Sequence, residues 1–201
     1  MKKRKIIGFT IILIGILTMA YPIRLRFFAN MEQKKLKEEF IEKKQTLNES
    51  VQKDGKEQKE IKYDRWPDTL MNIPKIDLEA MVVEMEASNI DVFAQNANYP
   101  PAHYRDTDFP GGRSNVAIAA HRTGPADYFR NLDKLEEGDK ITLETSQGIH
   151  EYIVEKVFIV DPTDISVINA TDYGALTLTS CEREDGISNK KRIIVRAKLK
   201  D

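Results

Sequence analysis

The chain has 201 residues, of which 31 are Lys or Arg and 32 are Asp or Glu, for a net charge of −1. So balanced a count excludes binding to nucleic acid through bulk positive charge. The one cysteine, Cys181, excludes an intrachain disulfide and any paired-cysteine zinc or redox motif.

The N-terminus reads first. Lys2, Lys3, Arg4 and Lys5 precede residues 6–23, IIGFTIILIGILTMAYPI, an uncharged run of 18 residues. That is the short end of what spans a bilayer core as a helix, and longer than the apolar region of most cleaved signals. An uncleaved anchor is expected. The basic flank favours a cytoplasmic N-terminus for residues 1–5 and places the bulk of the protein outside, although Arg24, Arg26, Lys34 and Lys35 follow the span.

Residues 24–68 form a charged stalk and linker. Leu36, Phe40, Leu47 and Val51 make a narrow stripe at helical spacing, with Gly55 as a plausible stop. A charge-rich segment beside an anchor is ordinarily a solvated spacer; the other reading is a segment that contacts the domain or a partner. Residues 53–64 read as flexible linker.

The folded domain is expected over residues 69–201. Pro74 suits an edge strand or a strand start. Short β-rich runs follow at Met81–Met85, Val116–His121, Lys140–Glu144, Tyr152–Val160, Ala175–Cys181 and Lys191–Leu199. Turn signals separate them: Pro100-Pro101, Pro110-Gly111-Gly112, Gly138-Asp139, Gln147-Gly148 and Asp185-Gly186. Residues 125–136 are the main helical candidate. So many strands with so little helix mean a mostly β fold, a barrel or a sandwich.

The chemistry concentrates at strand ends. In LTLTSCERE, residues 176–184, Leu176, Leu178 and Ser180 take one face, while Thr177, Thr179 and Cys181 take the other. A structural cysteine usually packs as a small hydrophobe, and this one ends a strand on its hydroxyl-bearing face. In RIIVRAKL, Ile193, Val195, Ala197 and Leu199 face the core, and Arg192, Ile194, Arg196 and Lys198 the other side. If the two strands pair antiparallel, Cys181 and Arg192 meet at the loop mouth. An arginine there lowers a thiol's pKa and stabilises a developing oxyanion. Arg196, four residues on, is a rival placed farther from the mouth. Of the three histidines, His121 ends Val116–His121 on its less apolar face; His103 and His150 read as surface or turn residues.

Taken together, these residues resemble the sortases, membrane-anchored cysteine transpeptidases of the Gram-positive cell surface. The family signature Thr-Leu-x-Thr-Cys is filled by Thr177-Leu178-Thr179-Ser180-Cys181 with one change. The family histidine, commonly in a Gly-His or Gly-His-Arg context, is matched by Ala120-His121-Arg122, and the arginine opening the final strand by Arg192. The resemblance covers residues 70–201 and includes the basic-plus-apolar N-terminus.

The resemblance implies an eight-stranded β-barrel with one or two short helices, catalytic Cys181, His121 and Arg192, and substrate contacts at Ser180, Thr179 and Ala120. The implied substrate is a surface protein with a C-terminal Leu-Pro-x-Thr-Gly-like sorting signal. The implied acceptor is an amine of a peptidoglycan precursor. No cofactor or metal is required; some relatives bind calcium, and no ligands for it are assigned here. Val167 and Ile168, in the loop before the nucleophile strand, either line a pocket for the substrate leucine or cap the core. Asp64-Arg65-Trp66-Pro67 is not the usual lid of pilin-polymerising members, and the chain ends directly after its last strand. Both point to a class A-, D- or E-like enzyme rather than class C. The alternatives are a pilin-polymerising sortase, a cysteine peptidase hydrolysing cell-wall peptides, and a non-catalytic tethered binding module.

Overall fold

The computed structural model describes residues 2–54, 63, 65–85, 96, 98–182 and 191–200. One long helix, α1 (Lys2–Asp54), precedes eight strands: β1 (Thr69–Ile73), β2 (Leu78–Met85), β3 (Ala102–Tyr104), β4 (Asn115–Ala119), β5 (Lys140–Thr145), β6 (Gly148–Val160), β7 (Ala175–Cys181) and β8 (Arg192–Leu199). They close into a barrel in the order β1-β2-β3-β4-β7-β8-β6-β5, with β5 pairing back onto β1. The β2–β3 and β4–β7 pairs are parallel and the others antiparallel. A closed barrel leaves no unpaired sheet edge.

Strand alternation fills the interior. Val116, Ile118 and Ala120 from the β4 segment, Leu176 and Leu178 from β7, and Ile193, Val195 and Ala197 from β8 belong to one core cluster. Full burial of one such large aliphatic side chain is worth about 1.5–3 kcal/mol. The interleaved residues Ala117, Ala119, Thr177, Thr179, Cys181, Arg192, Ile194 and Arg196 therefore lie on the outer face of the same strands.

The expected strands are all present, Ala175–Cys181 with the same ends and the others with shifted ones, and two more appear. β1 and the three-residue β3 lie in segments whose Asn and Pro content hides them. Pro74 starts neither strand: it opens a 3-10 turn, Pro74–Ile76, directly after β1, where its missing N–H costs nothing.

The helix expected over residues 125–136 is not there. A single 3-10 turn, Leu132–Lys134, stands in turn-rich chain. Phe129, Leu132 and Leu135 are buried at three-residue spacing, which imitates a helical face. They act as successive pegs into the core from an irregular segment.

His103 is likewise no surface residue. It lies in β3, fully buried, and stacks on Trp66 with ring centroids 3.9 Å apart. Its Nε2 faces both the Asp108 carbonyl and Thr107 Oγ1 at 3.0 Å, and burial lowers its pKa to about 4. His150 is half-buried on β6 beneath Gly111, and burial lowers its pKa too. Gly111 has φ +78°, and a Cβ there would fall 2.3 Å from His150 Nδ1, so glycine is required on both counts.

The stalk is not a solvated spacer. α1 continues without a break from the apolar run into the charged segment and packs on β1 and β2. Phe40 is 3% exposed and packs with Leu70 and Met81, flanked by Leu36. Gln33 exchanges two hydrogen bonds with the Met81 backbone, Met81 N donating at 2.7 Å and Gln33 Nε2 at 3.3 Å. Ion pairs join Arg26 to Asp127, Lys37 to Glu79, Lys43 to Asp68 and Lys44 to Glu144. Exposed pairs of this kind contribute about 0–1 kcal/mol each, so buried Phe40 is the larger anchor. Trp66 pins the linker by donating from its indole to Val82 O at 2.9 Å. The side chains of Leu47 and Val51, and residue Gly55, lie outside the described residues.

Candidate active site

Three strand ends meet on the outer face of the barrel. Cys181 is the last residue of β7 and pairs with Arg192, the first of β8. Opposed residues of an antiparallel pair share a face, with Cα atoms about 4.5–5.5 Å apart. On the other side of β7, the parallel β4 brings Ala119 against Thr179. His121 follows two residues past the end of β4, where Ala120 N still donates to Thr179 O at 3.2 Å, and Cys181 lies two residues past Thr179 on β7. Cys181 thus has Arg192 opposite it on β8 and the β4 end that leads to His121 on its other side. All three are half-buried.

His121 Nε2 lies 3.0 Å from the Asn96 carbonyl. A carbonyl oxygen only accepts, so Nε2 carries the proton in this arrangement. The guanidinium of Arg192 donates to Lys191 O at 3.2 Å. Its rival Arg196 is turned elsewhere: it is 9% exposed, sits opposite Thr177, and donates to Val167 O at 2.7 Å. Asn115 Nδ2 donates to the same carbonyl at 3.2 Å and to Asn169 O at 3.0 Å. Together these hold the 3-10 turn Ile165–Ile168 over the outer face of β4, β7 and β8.

Val167 and Ile168 are half-buried in that turn, while Ile165 is 72% exposed. Sequence reasoning passed over Ile165; its place at the turn's outer position depends on the Asp164 cap, whose carboxylate accepts from Ser166 N at 3.1 Å. The Asp-x-Ser spacing was the available signal.

Thr179, Ser180 and Ala120 occupy different places. Thr179 is on the outer face, with Tyr104 Oη 3.3 Å from its Oγ1. Ser180 and Ala120 face inward and are 4% and 2% exposed. Ser180 Oγ donates to Ala120 O at 2.7 Å, and Ala120 N donates to Thr179 O at 3.2 Å. The residues just before Cys181 and His121 are therefore tied together beneath the site.

A second tie lies just beyond them. Arg122 is 7% exposed, pairs with Asp133 at 2.9 Å, and reaches Glu182 at 3.7 Å. Phe129 N donates to His121 O at 3.0 Å. Residues 183–190, the acidic loop expected at the mouth, lie outside the described residues. Among the described residues no three His, Cys, Asp or Glu side chains converge as a metal site. A cavity of about 490 Å³ between α1, the linker and the β5–β6 turn is lined by Phe40, Lys43, Tyr63 and Trp66 and touches none of the three site residues.

The closed eight-stranded barrel agrees with the comparisons. The sortase domain family model matches residues 71–200, and the chain belongs to the sortase family. It is similar to sortase SrtE1 of Streptomyces coelicolor, 26% identical over 140 residues, covering 65% of this chain and 39% of the relative. Sortase A of Listeria monocytogenes is 32% identical over 73 residues, covering 36% of this chain and 33% of the relative. The chain thus spans well under half the length of these curated relatives. Among solved structures, the Clostridium perfringens sortase D5 transpeptidase superposes with a TM-score of 0.62 at 30% identity, over 84% of this chain and 98% of that one. That coverage exceeds residues 71–200, so the likeness extends ahead of the barrel. Relatives of the D, E and A types are compatible with the class expected from sequence.

Proposed function

We propose that the chain is a membrane-anchored cysteine transpeptidase with Cys181 as nucleophile, His121 as acid and base, and Arg192 as electrostatic partner. The pairing of Cys181 with Arg192, with His121 two residues past the end of the adjacent β4, is the observation that carries this reading. The substrate is a surface protein bearing a Leu-Pro-x-Thr-Gly-like signal, and the acceptor an amine of a peptidoglycan precursor. The N-terminus is cytoplasmic and the barrel extracellular, in line with the basic residues ahead of the one described helix apolar enough to span a bilayer.

The Cys181 thiolate attacks the carbonyl carbon of the Thr–Gly bond. Negative charge moves onto that oxygen, where the Arg192 guanidinium stabilises it. As the tetrahedral species collapses, the C–N bond breaks and imidazolium His121 delivers a proton to the departing amine. A thioester to Cys181 remains. The incoming amine attacks it, His121 takes the amine's proton, and the thiolate leaves with a new amide formed. Thr179 on the outer face contacts the bound peptide, whereas buried Ser180 and Ala120 act on it through the alignment of the strands.

Intact-protein mass spectrometry of the full chain in detergent, mixed with a sorting-motif peptide, tests the reading. An acyl adduct on the chain, lost in Cys181→Ala, is expected. Turnover that survives Cys181→Ala would remove the nucleophile from the scheme.

A further inference from the structure

The side of the barrel that α1 covers bears on where the active site points. α1 crosses β2 at Met81, β1 at Leu70 and β5 at Glu144, a row of mutually paired outer-face residues. Two residues along β2, Val83 begins a neighbouring row that runs through Ala102 on β3 and Ala119 on β4 to Thr179 on β7, beside Cys181. The helix therefore lies around the girth of the barrel, and its N-terminal direction runs toward the strands that carry the site.

In that direction Arg26 pairs with Asp127 at 3.0 Å, in the β4–β5 connection. Asp127 is two residues from Phe129, whose N–H holds the His121 carbonyl. The apolar run ends at Ile23, three residues before Arg26, or about 4.5 Å along the helix axis. Ile7, Phe9, Ile11, Ile12, Ile14 and Ile16 are all more than half exposed, as a membrane span requires. The headgroup layer is about 5–7 Å thick on each side of the hydrocarbon core. Asp127 thus falls at headgroup level, while Lys44, paired to Glu144, lies about 27 Å farther along the helix.

We propose that α1 is a rigid strut that turns the catalytic face of the barrel toward the outer surface of the bilayer, with the 122–130 connection resting at the lipid headgroups. The site then receives both reactants from the membrane plane. This rests on the anchoring stated above and goes beyond it, because an anchor on a free tether would leave the barrel unoriented.

Depth-dependent fluorescence tests the strut. Exposed Thr123 and Ile149, near Asp127 and Glu144 respectively, would each be replaced by a labelled cysteine. Thr123→Cys and Ile149→Cys are made singly in a full-length Cys181→Ser chain, reconstituted in vesicles with nitroxide-headgroup lipid. Co-flotation with the vesicles reads anchoring; quenching reads orientation. The expected result is at least threefold stronger quenching at 123 than at 149, abolished by Phe40→Asp or by Arg26→Glu with Lys44→Glu while flotation persists. Equal quenching at both positions in a floating chain, or a difference that survives both sets of strut variants, would overturn the proposal. Because the background lacks the thiol, catalysis does not enter the readout.

Discussion

Arg122 and Glu182 each stand one residue past a proposed catalytic side chain, His121 and Cys181, and they meet at 3.7 Å. On the near side of the same two residues, Ser180 Oγ holds Ala120 O at 2.7 Å. His121 and Cys181 are thus bracketed by a tie in front and a tie behind, which hold the two segments together.

Loosening the outer tie should misplace the pair rather than weaken substrate binding. Glu182→Gln is expected to lower kcat roughly tenfold with KM within twofold, since small misplacements of reacting groups cost heavily. Arg122→Lys should recover part of that loss relative to Arg122→Ala. Steady-state kinetics on one sorting-motif peptide reads the split. A rise in KM with kcat unchanged would place the pair in substrate binding instead.

The inner tie is a buried hydrogen bond, and Ser180→Ala leaves the Ala120 carbonyl without that donor. A cost of about 1–2 kcal/mol in unfolding free energy is expected, read by chemical denaturation.

The two arginines of β8 should separate cleanly. Arg192→Ala is expected to reduce kcat at least a hundredfold, as loss of an oxyanion donor does, with thermal stability little changed. Arg196→Ala removes a buried donor to Val167 O and should lower stability by about 2 kcal/mol. Activity and melting temperature measured side by side on both variants check the assignment.

His103 makes stability depend on pH. Its folded pKa is about 4 against an ordinary histidine value of 6.5, because burial disfavours the imidazolium. Between those values the unfolded chain binds a proton that the folded chain does not, so stability falls as pH drops from about 6.5 toward about 4. The slope approaches about 1.4 kcal/mol per pH unit for this one group. His103→Phe keeps a ring against Trp66 and should flatten the melting temperature over that window.

The pairing of Cys181 with Arg192 was legible in the sequence because β7 and β8 alternate so strictly that their faces follow from counting residues. Their antiparallel pairing then needs only the turn between them. The parallel partnership of β4 with β7, which brings in His121, joins segments far apart in the chain and carries no local signal; only the family motif pointed to it. The burial of His103 was hidden because its partner Trp66 comes from the linker, and the docking of α1 was hidden because its exposed charges look the same whether water or Asp127, Glu79 and Glu144 face them. Phe129, Leu132 and Leu135 misled through their spacing, which a helix and a pegged irregular segment share.

Acyl transfer from Cys181 to an amine is the central claim. The full chain in detergent would be mixed with a panel of Leu-Pro-x-Thr-Gly-like peptides, with and without triglycine, beside Cys181→Ala, and the products read by mass spectrometry. A triglycine adduct at the threonine carboxyl, absent from the mutant, is the expected result. Cleavage to free acid alone, indifferent to triglycine, would contradict it and make the protein a peptidase.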